Sequence, residues 1–185
     1  VVRGINAFTL GARSIDEEIR VVVKYTGTWN NAGIESSTAE NLIGEGVDVM
    51  AQHQNYPAAA QTANDAGIWA TGYNSPMGEV VGENYVTSPI WNWEVFYRPT
   101  VRAVRTGTWN ADFYWNGLDS GIVDLSDWGP NVPGEVKKTV AETRRRLVDG
   151  DLDIWADTQF AAFADAQLFE SVDRYVDGVT GDAPK

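Results

Sequence analysis

Short apolar runs alternate with segments of helical periodicity along the first half of the chain. The runs at 19–25, 47–51 and 68–73 have the length and the β-branched content of buried strands. Turn and cap residues separate each run from a helix-like segment, with Asn31 and Pro57 at the helix starts. Strand, helix, strand, helix and strand in this order predict right-handed crossovers. We therefore expect an α/β fold, in which a parallel sheet carries helices on both faces.

Apolar residues three and four positions apart predict which face of each helix is buried. A first helix precedes the strand at 19–25, and further helices are expected at 93–106, where Pro99 kinks or starts the helix, and from Pro133 onwards. The residues expected to face inward are, in chain order of these helices and the one that starts at Asn31, Ile5, Phe8, Ala12 and Ile15; Ile34, Thr38, Leu42 and Ile43; Phe96, Val101 and Val104; and Val136, Val140 and Leu147.

The second half of the chain has a less regular pattern. It predicts strands at 85–90, 112–115 and 122–125, and a last amphipathic helix over 161–176. The polar tail at 178–185 is expected to leave the domain.

Charge and composition exclude several classes of partner and cofactor. The chain has 26 acidic and 14 basic residues, and a net charge of -12 repels a nucleic-acid backbone. An excess of Asp and Arg is also typical of surfaces adapted to high salt, as in a halophile. The chain has no Cys and a single His, so neither a thiolate site nor a multi-histidine metal site is expected. No metal, cofactor or catalytic residue is predicted, because the common catalytic motifs are missing.

Side chains that follow the predicted strands are the candidates for ligand binding. In parallel α/β sheets, ligands bind beyond the carboxyl ends of the strands, which places Trp29, His53 and Asn74 along one rim. An indole in this position offers a flat face for stacking. For each residue a structural role stays open: Trp29 could pack over its own loop, Asn74 could form a turn, and His53 could be an ordinary loop histidine.

Several motifs, in order along the chain, resemble the basic membrane protein family of ABC-transporter substrate-binding proteins, which includes purine-nucleoside receptors. These motifs are Arg3-Gly4-Ile5-Asn6-Ala7-Phe8-Thr9-Leu10-Gly11-Ala12-Arg13-Ser14, Tyr25-Thr26-Gly27-Thr28-Trp29-Asn30, Gly46-Val47-Asp48-Val49, Gly72-Tyr73-Asn74-Ser75, Thr87-Ser88-Pro89-Ile90-Trp91-Asn92-Trp93, Val132-Pro133-Gly134-Glu135-Val136 and Val172-Asp173-Arg174-Tyr175-Val176-Asp177-Gly178-Val179.

The resemblance implies a type I periplasmic-binding-protein fold, with two α/β lobes that close on a ligand. It assigns 1–90 to the second lobe, 91–111 to a crossover and a helix directed toward the first lobe, and 112–185 to the closing strands and C-terminal helices. Family members carry a first lobe, preceded by a lipoprotein signal, before the position of Val1. The chain is therefore expected to be a fragment, and some apolar surface of the helix in 91–111 is expected to be unpaired.

The resemblance also implies roles for individual residues. Trp29 stands where relatives carry an aromatic residue, often Phe, and Asn74 stands where nucleoside-binding members carry an Asp that binds ribose. His53 and Gln54 replace a small Gly-rich loop, which favours a smaller ligand such as a free nucleobase. Trp91, in the place of a Lys, forms a cluster with Asn92 and Trp93 near the hinge, either as a second stacking surface or as a structural plug.

The function implied is that of the solute-binding component of an ABC importer, which captures a purine nucleobase or nucleoside and catalyses nothing. Its partners would be the ligand and the permease subunits. Its location would be extracytoplasmic, and a lipid anchor in the region before Val1 would attach it to the membrane. Two alternatives are a glycan-acting enzyme, for which Asp124 and Asp127 are the carboxylate pair to test, and the ligand-sensing domain of a transcription regulator.

Overall fold

The computed structural model describes residues 1–181, and these divide into two compact units. The first unit contains 1–28 and the chain from Leu152 onwards, and the second contains Trp29–Asp151. Parallel strand pairs and flanking helices are present, so the predicted α/β class is confirmed. Among the described residues, no helix combines the length and the apolar character that crossing a membrane requires.

The first unit pairs the beginning of the chain with its end. It contains α1 (Val2–Arg13), β1 (Val21–Val23), α7 (Asp165–Glu170) and β6 (Val179–Gly181). Strand β1 lies parallel to β6, with Val21 opposite Val179 and Val23 opposite Gly181. The prediction that the chain leaves the domain from 178 is therefore wrong for 179–181, and the remainder of that tail lies outside the described residues.

The buried face of α1 differs from the predicted one. Its buried residues are Val2, Asn6 and Thr9, whereas Phe8 and Ile15 are exposed. Asn6 is 0% exposed because its amide donates to the Arg174 carbonyl at 2.9 Å and accepts from the Val176 N–H at 3.1 Å. A polar side chain that satisfies backbone groups on both sides can replace an apolar one in a core. The same contacts explain why the helix predicted over 161–176 is limited to α7, since the backbone at 174–176 is held by Asn6.

The second unit contains the predicted succession of strands and helices. Its elements are α2 (Ala32–Gly44), β2 (Val49–Ala51), α3 (Ala58–Asp65), β3 (Trp69–Thr71), α4 (Gly78–Val81), β4 (Pro89–Trp91), α5 (Glu94–Thr106), a 3₁₀ turn (Leu118–Ser120), β5 (Val123–Leu125) and α6 (Gly134–Asp149). Within the described chain, the predicted strand at 112–115 is wrong. These aromatic residues make ring contacts instead, such as that of Tyr114 with Phe96 at 4.7 Å.

The strands of the second unit lie side by side in the order β2, β3, the segment leading into β4, and β5. Strands β2 and β3 are parallel, with Val49 opposite Trp69. Residues 84–87 continue the sheet, because Ala70 donates to the Asn84 carbonyl at 2.9 Å and Val86 donates to the Ala70 carbonyl at 2.8 Å. Strand β5 closes it as an antiparallel partner of β4.

Small side chains form much of the core of this unit. Ala39 of α2 and Ala59, Ala60 and Ala63 of α3 pack with Met50, Ala70, Met77, Val81 and Tyr85. The short alanine side chains let α2 pack closely on α3, and α3 on β2 and β3. The predicted inward residues Ile34, Val101, Val104 and Val136 are exposed instead. In α2 the inner face is occupied by Glu35 and Ala39, which explains the outward position of Ile34.

Candidate ligand-binding site

The candidate site lies in the second unit, where β2 and β3 end and where the chain enters α2. Asn31 begins this helix, because its Oδ1 accepts from the Ile34 N–H at 3.1 Å, as the sequence predicts for an N-cap. Glu35, only 1% exposed, accepts from the Asn31 N–H at 3.0 Å. These two reciprocal hydrogen bonds fix the path of the loop that presents Trp29.

Three aromatic rings from three different loops meet at this position. The rings of Trp29 and His53 are 5.8 Å apart at 48°, and His53 stacks on Tyr73 at 4.0 Å and 29°. Trp29 is 55% exposed, so much of its indole remains accessible to solvent. Its carbonyl accepts from the Asn55 N–H at 3.0 Å, which joins the loop before α2 to the loop after β2. Trp29 and His53, predicted on one rim, are thus neighbours.

Tyr73 belongs to this cluster, although the sequence argument did not select it. It ends the predicted strand at 68–73 and immediately precedes Asn74, so its position was visible in the sequence. Aromatic residues are common in strands, so the sequence alone could not distinguish Tyr73 from a core residue. The contact with His53 gives it a different role, as one side of a ring cluster at the sheet edge.

His53 is neutral at physiological pH. Burial among its neighbours lowers the pKa of the imidazole from 6.5 to about 4. A neutral imidazole can donate from one nitrogen and accept at the other. In the part of the chain that the structure describes, no group of acidic and histidine residues has the arrangement of a metal site.

Gln52 holds the loop that carries His53 and was not identified from the sequence. Its buried amide donates to the carbonyls of Tyr56 at 2.6 Å and Gln54 at 3.3 Å, while its Oε1 accepts from the Ala60 N–H at 3.0 Å. The last bond satisfies an orphan donor in the first turn of α3. Gln54 Oε1 in turn accepts from the His53 N–H at 3.1 Å, so this predicted contact residue is partly engaged within its own loop.

Asn74 and Trp91 form a second polar contact at the edge of the sheet. The indole Nε1 of Trp91 donates to Asn74 Oδ1 at 2.7 Å. Asn74 has a φ of 63°, a left-handed conformation that asparagine tolerates better than most residues, and it bridges Ile90 of β4 in parallel. The turn role considered for Asn74 and a side-chain contact at the rim are therefore both present.

An exposed aromatic row continues from Trp91 along α5. Trp91 stacks on Trp93 at 5.8 Å, and Trp93 lies 5.8 Å from Tyr97. Asn92, also a predicted site residue, is exposed and is fixed by its backbone N–H, which donates to the Ile122 carbonyl at 2.7 Å. The cluster predicted near 91–93 is therefore an open surface that begins at the candidate site.

One member of the carboxylate pair considered for a glycan-acting enzyme, Asp124, is engaged in an ion pair. Asp124 lies 3.2 Å from the guanidinium of Arg144 and accepts from the Leu125 N–H at 2.8 Å. Arg145, the next basic residue of α6, pairs with Glu142 and Asp149.

Comparison with known proteins assigns the family. The profile of the Bmp family, described as ABC transporter substrate-binding protein PnrA-like, matches residues 1–150. This chain belongs to that family. Among curated relatives, the protein TsgA13 of Haloferax volcanii, whose name describes an ABC transporter glucose-binding protein, is 45% identical over 184 residues. A purine-binding protein of Brucella abortus is 38% identical over 152 residues, which is 82% of this chain.

This Bmp chain spans less than half the length of both relatives, 47% of the first and 43% of the second, and all of it is covered by the first match. Solved structures support the fold. A transcriptional activator of the comK gene from Bacillus halodurans has a TM-score of 0.66 at 17% identity, over 82% of this chain and 63% of that one. An ABC transporter solute-binding protein from Conexibacter woesei has a TM-score of 0.58 at 20% identity, over 70% of this chain and 44% of that one.

Proposed function

We propose that this chain is one lobe and the C-terminal part of a solute-binding protein that delivers a purine nucleobase or nucleoside to an ABC importer. The observation that carries the proposal is the exposed indole of Trp29 beside the stacked rings of His53 and Tyr73. Stacking of a base on such a ring is worth about 1–3 kcal/mol. The Brucella abortus relative, named as purine-binding, supports the same class of ligand.

The polar groups around the rings suit an uncharged heterocycle. Neutral His53, together with Asn74 and the amides of Gln54 and Asn92, supplies donors and acceptors without a formal charge. The edge of a nucleobase presents the same mixture of groups. The uncharged Asn74, in place of the Asp of nucleoside-binding relatives, favours a free base over a nucleoside.

Glucose is the second candidate ligand, because the relative that matches the whole chain is named as glucose-binding. Trp29 would then contact the apolar face of the sugar ring, and the amides would bind its hydroxyl groups. The two candidate ligands would use the same residues but would contact the indole of Trp29 differently. A flat heterocycle stacks over the full ring, whereas a pyranose presents only C–H groups.

The mechanism that we propose is closure of two lobes around the solute. Since the named relatives are about twice as long, the second half of the clamp would come from the region of the full-length protein that corresponds to the rest of their sequence. A ligand that contacts both lobes stabilises the closed form, which docks on the permease. No chemical step is required, and the location would be extracytoplasmic, with a lipid anchor in the region before Val1.

The region 91–111 is proposed to cross toward the other lobe. Its helix α5 contains the exposed residues Tyr97, Val101 and Val104, and Trp91, Trp93 and Trp109 flank it. Soluble domains rarely leave such a large apolar surface uncovered. The first lobe would cover this surface, and 112–185 would complete the lobe pair.

Isothermal titration calorimetry of the full-length protein tests the proposal, with hypoxanthine, inosine and D-glucose as ligands. We expect a purine to bind, and Trp29→Ala to weaken it about 5- to 150-fold, the equivalent of one stacking contact. Phe8→Ala is the control, because this aromatic ring of α1 is also exposed, at 43%, and has no proposed part in the ligand site or in the lobe contact. Binding of glucose alone would select the second candidate, and binding of none of the three, or an unchanged affinity in Trp29→Ala, would overturn the proposed site.

A further inference from the structure

The hydrogen bond between Trp91 and Asn74 restricts what Asn74 can offer to a solute. Trp91 is 40% exposed and Asn74 is half-buried, so both reach the solvent edge of the second unit. The bond is short, with 2.7 Å between the indole Nε1 and Oδ1. It joins the turn after β3 to the last residue of β4.

The chemistry of the two side chains fixes the orientation of the amide. An indole nitrogen can only donate a hydrogen bond, so the Asn74 atom that faces it must be the carbonyl oxygen. The amino group of the planar amide then points away from Trp91. Asparagine orientation is often ambiguous in structures, but a partner that is a donor only removes the ambiguity.

Both members of the pair are held by the surrounding backbone. Asn74 is fixed by its left-handed φ of 63° and by its bridge to Ile90. Trp91 pairs with Val123 of β5 and stacks on Trp93. The amide therefore cannot rotate freely without loss of the indole hydrogen bond.

We infer that Trp91 is a positioning residue that makes Asn74 present its amino group to the solute, so that the site selects a hydrogen-bond acceptor such as a carbonyl oxygen or an unprotonated ring nitrogen. The inference rests on the proposed function and adds the polarity of the contact. A carboxylate at position 74 would also accept from Trp91, but its remaining lone pairs would select a donor. The pair thus separates solutes that present an acceptor at this point from those that present only an N–H donor there.

Substitutions at position 74 test the polarity in the full-length protein. Gly and Asp both tolerate the left-handed backbone, so neither is expected to strain the turn. If Asn74 donates, Asn74→Gly weakens hypoxanthine binding about 2- to 13-fold, the equivalent of one hydrogen bond. Asn74→Asp then weakens binding further, because a negative charge faces the acceptor. Hypoxanthine binding by Asn74→Asp that equals or exceeds that of Asn74→Gly would overturn the inference.

A double-mutant cycle separates the positioning role of Trp91 from a purely structural one. Trp91→Phe keeps a ring for stacking but removes the N–H, so it should weaken binding in the wild-type background and have no effect in the Asn74→Gly background. Additive losses would overturn the positioning role. The free energy of unfolding of each variant, measured in urea, controls for misfolding.

Nuclear magnetic resonance tests the hydrogen bond without a solute. The indole N–H signal of Trp91, assigned by its loss in Trp91→Phe, should shift in Asn74→Gly, and an unchanged signal would overturn the inference. If the signal shifts but hypoxanthine, inosine and glucose all fail to bind the wild type, the proposed function fails and the inferred selectivity fails with it. If the wild type binds and only the order of the Asn74 variants is reversed, the inference alone fails.

Discussion

Gln52 shows how a single buried amide can support a binding loop. Its amide holds two carbonyls of 53–57 and the first turn of α3. Loss of a buried hydrogen-bonding group costs about 1–3 kcal/mol, because its former partners are left unsatisfied.

We therefore expect Gln52→Ala to lower the free energy of unfolding by about 1–3 kcal/mol, as measured by urea denaturation. Gln61→Ala is the control, since this half-buried glutamine makes a side-chain hydrogen bond at the surface to the Val80 carbonyl at 2.8 Å. Its loss should cost less than about 1 kcal/mol. Equal costs for the two variants would show that Gln52 does not stabilise the loop.

His53 makes the stability of the protein depend on pH. Because the pKa of the folded state is lowered to about 4, the unfolded chain takes up a proton at His53 between about pH 6.5 and pH 4 while the folded chain does not. The contribution of His53 to the free energy of unfolding should fall as the pH decreases through this window and stay level below it.

In His53→Gln this contribution is absent, so the variant should gain stability relative to the wild type as the pH falls from 7 to 4. Urea denaturation at several pH values measures the difference in free energy of unfolding between the two proteins. The contributions of the carboxylates cancel in this difference, because both proteins contain them. His53 is the only histidine, so its ring signal can also be titrated directly. Parallel stability profiles, or a titration midpoint near 6.5, would contradict the buried neutral imidazole.

The strands and helices around the sheet edge were accessible from the sequence, whereas several of their contacts were not. Periodicity and turn residues located β2, α3 and β3, because local propensity and burial agree there. The buried face of α1 was missed, since Asn6 reads as polar and its partners lie at Arg174 and Val176. A hydrogen bond over such a separation leaves no periodic signal.

The same limit applies to the candidate site. Strand ends predicted the rim that carries Trp29, His53 and Asn74, because the sheet rule depends only on the order of elements. The sequence did not reveal Gln52 or the indole bond of Trp91, because these depend on side-chain directions. Whether the six predicted residues contact a solute remains a prediction.

The junction between β5 and α6 depends on a close backbone approach at Gly129. Its N–H donates to the Val86 carbonyl at 2.9 Å, and an added Cβ would overlap the carbonyl oxygen of Tyr85. The Tyr85 backbone is held by its bridge to Ala70 in the sheet and cannot easily move. Gly129→Ala should therefore cost about 3 kcal/mol or more of folding free energy.

Gly134→Ala provides the control at the start of α6, where a Cβ would meet nothing within 4 Å. Alanine at a helical position without strain should stabilise by up to about 1 kcal/mol. Thermal or urea denaturation of the two variants measures the contrast. A Gly129→Ala protein as stable as the wild type would contradict the packing of this junction.

At the scale of the whole molecule, the exposed face of α5 is where the proposed lobe arrangement can be tested. Val104 is 59% exposed and Val80, in α4, is 54% exposed. If the first lobe covers α5, Val104→Lys should destabilise the full-length protein by about 1–3 kcal/mol, because a charge is then buried. Val80→Lys should leave the free energy of unfolding nearly unchanged. Equal destabilisation by the two substitutions would contradict the proposal that the first lobe covers α5.

Hydrogen–deuterium exchange of the full-length protein, with and without saturating hypoxanthine, tests whether a solute binds at the proposed site. A solute bound at the edge of the sheet should slow exchange at 29–31, 53–57, 73–75 and 91–92, because these loops supply the rings and amides of the site. Helix α6 should be unchanged. Slower exchange in these four segments is the predicted result, and protection elsewhere in the chain, with these loops unaffected, would contradict the account.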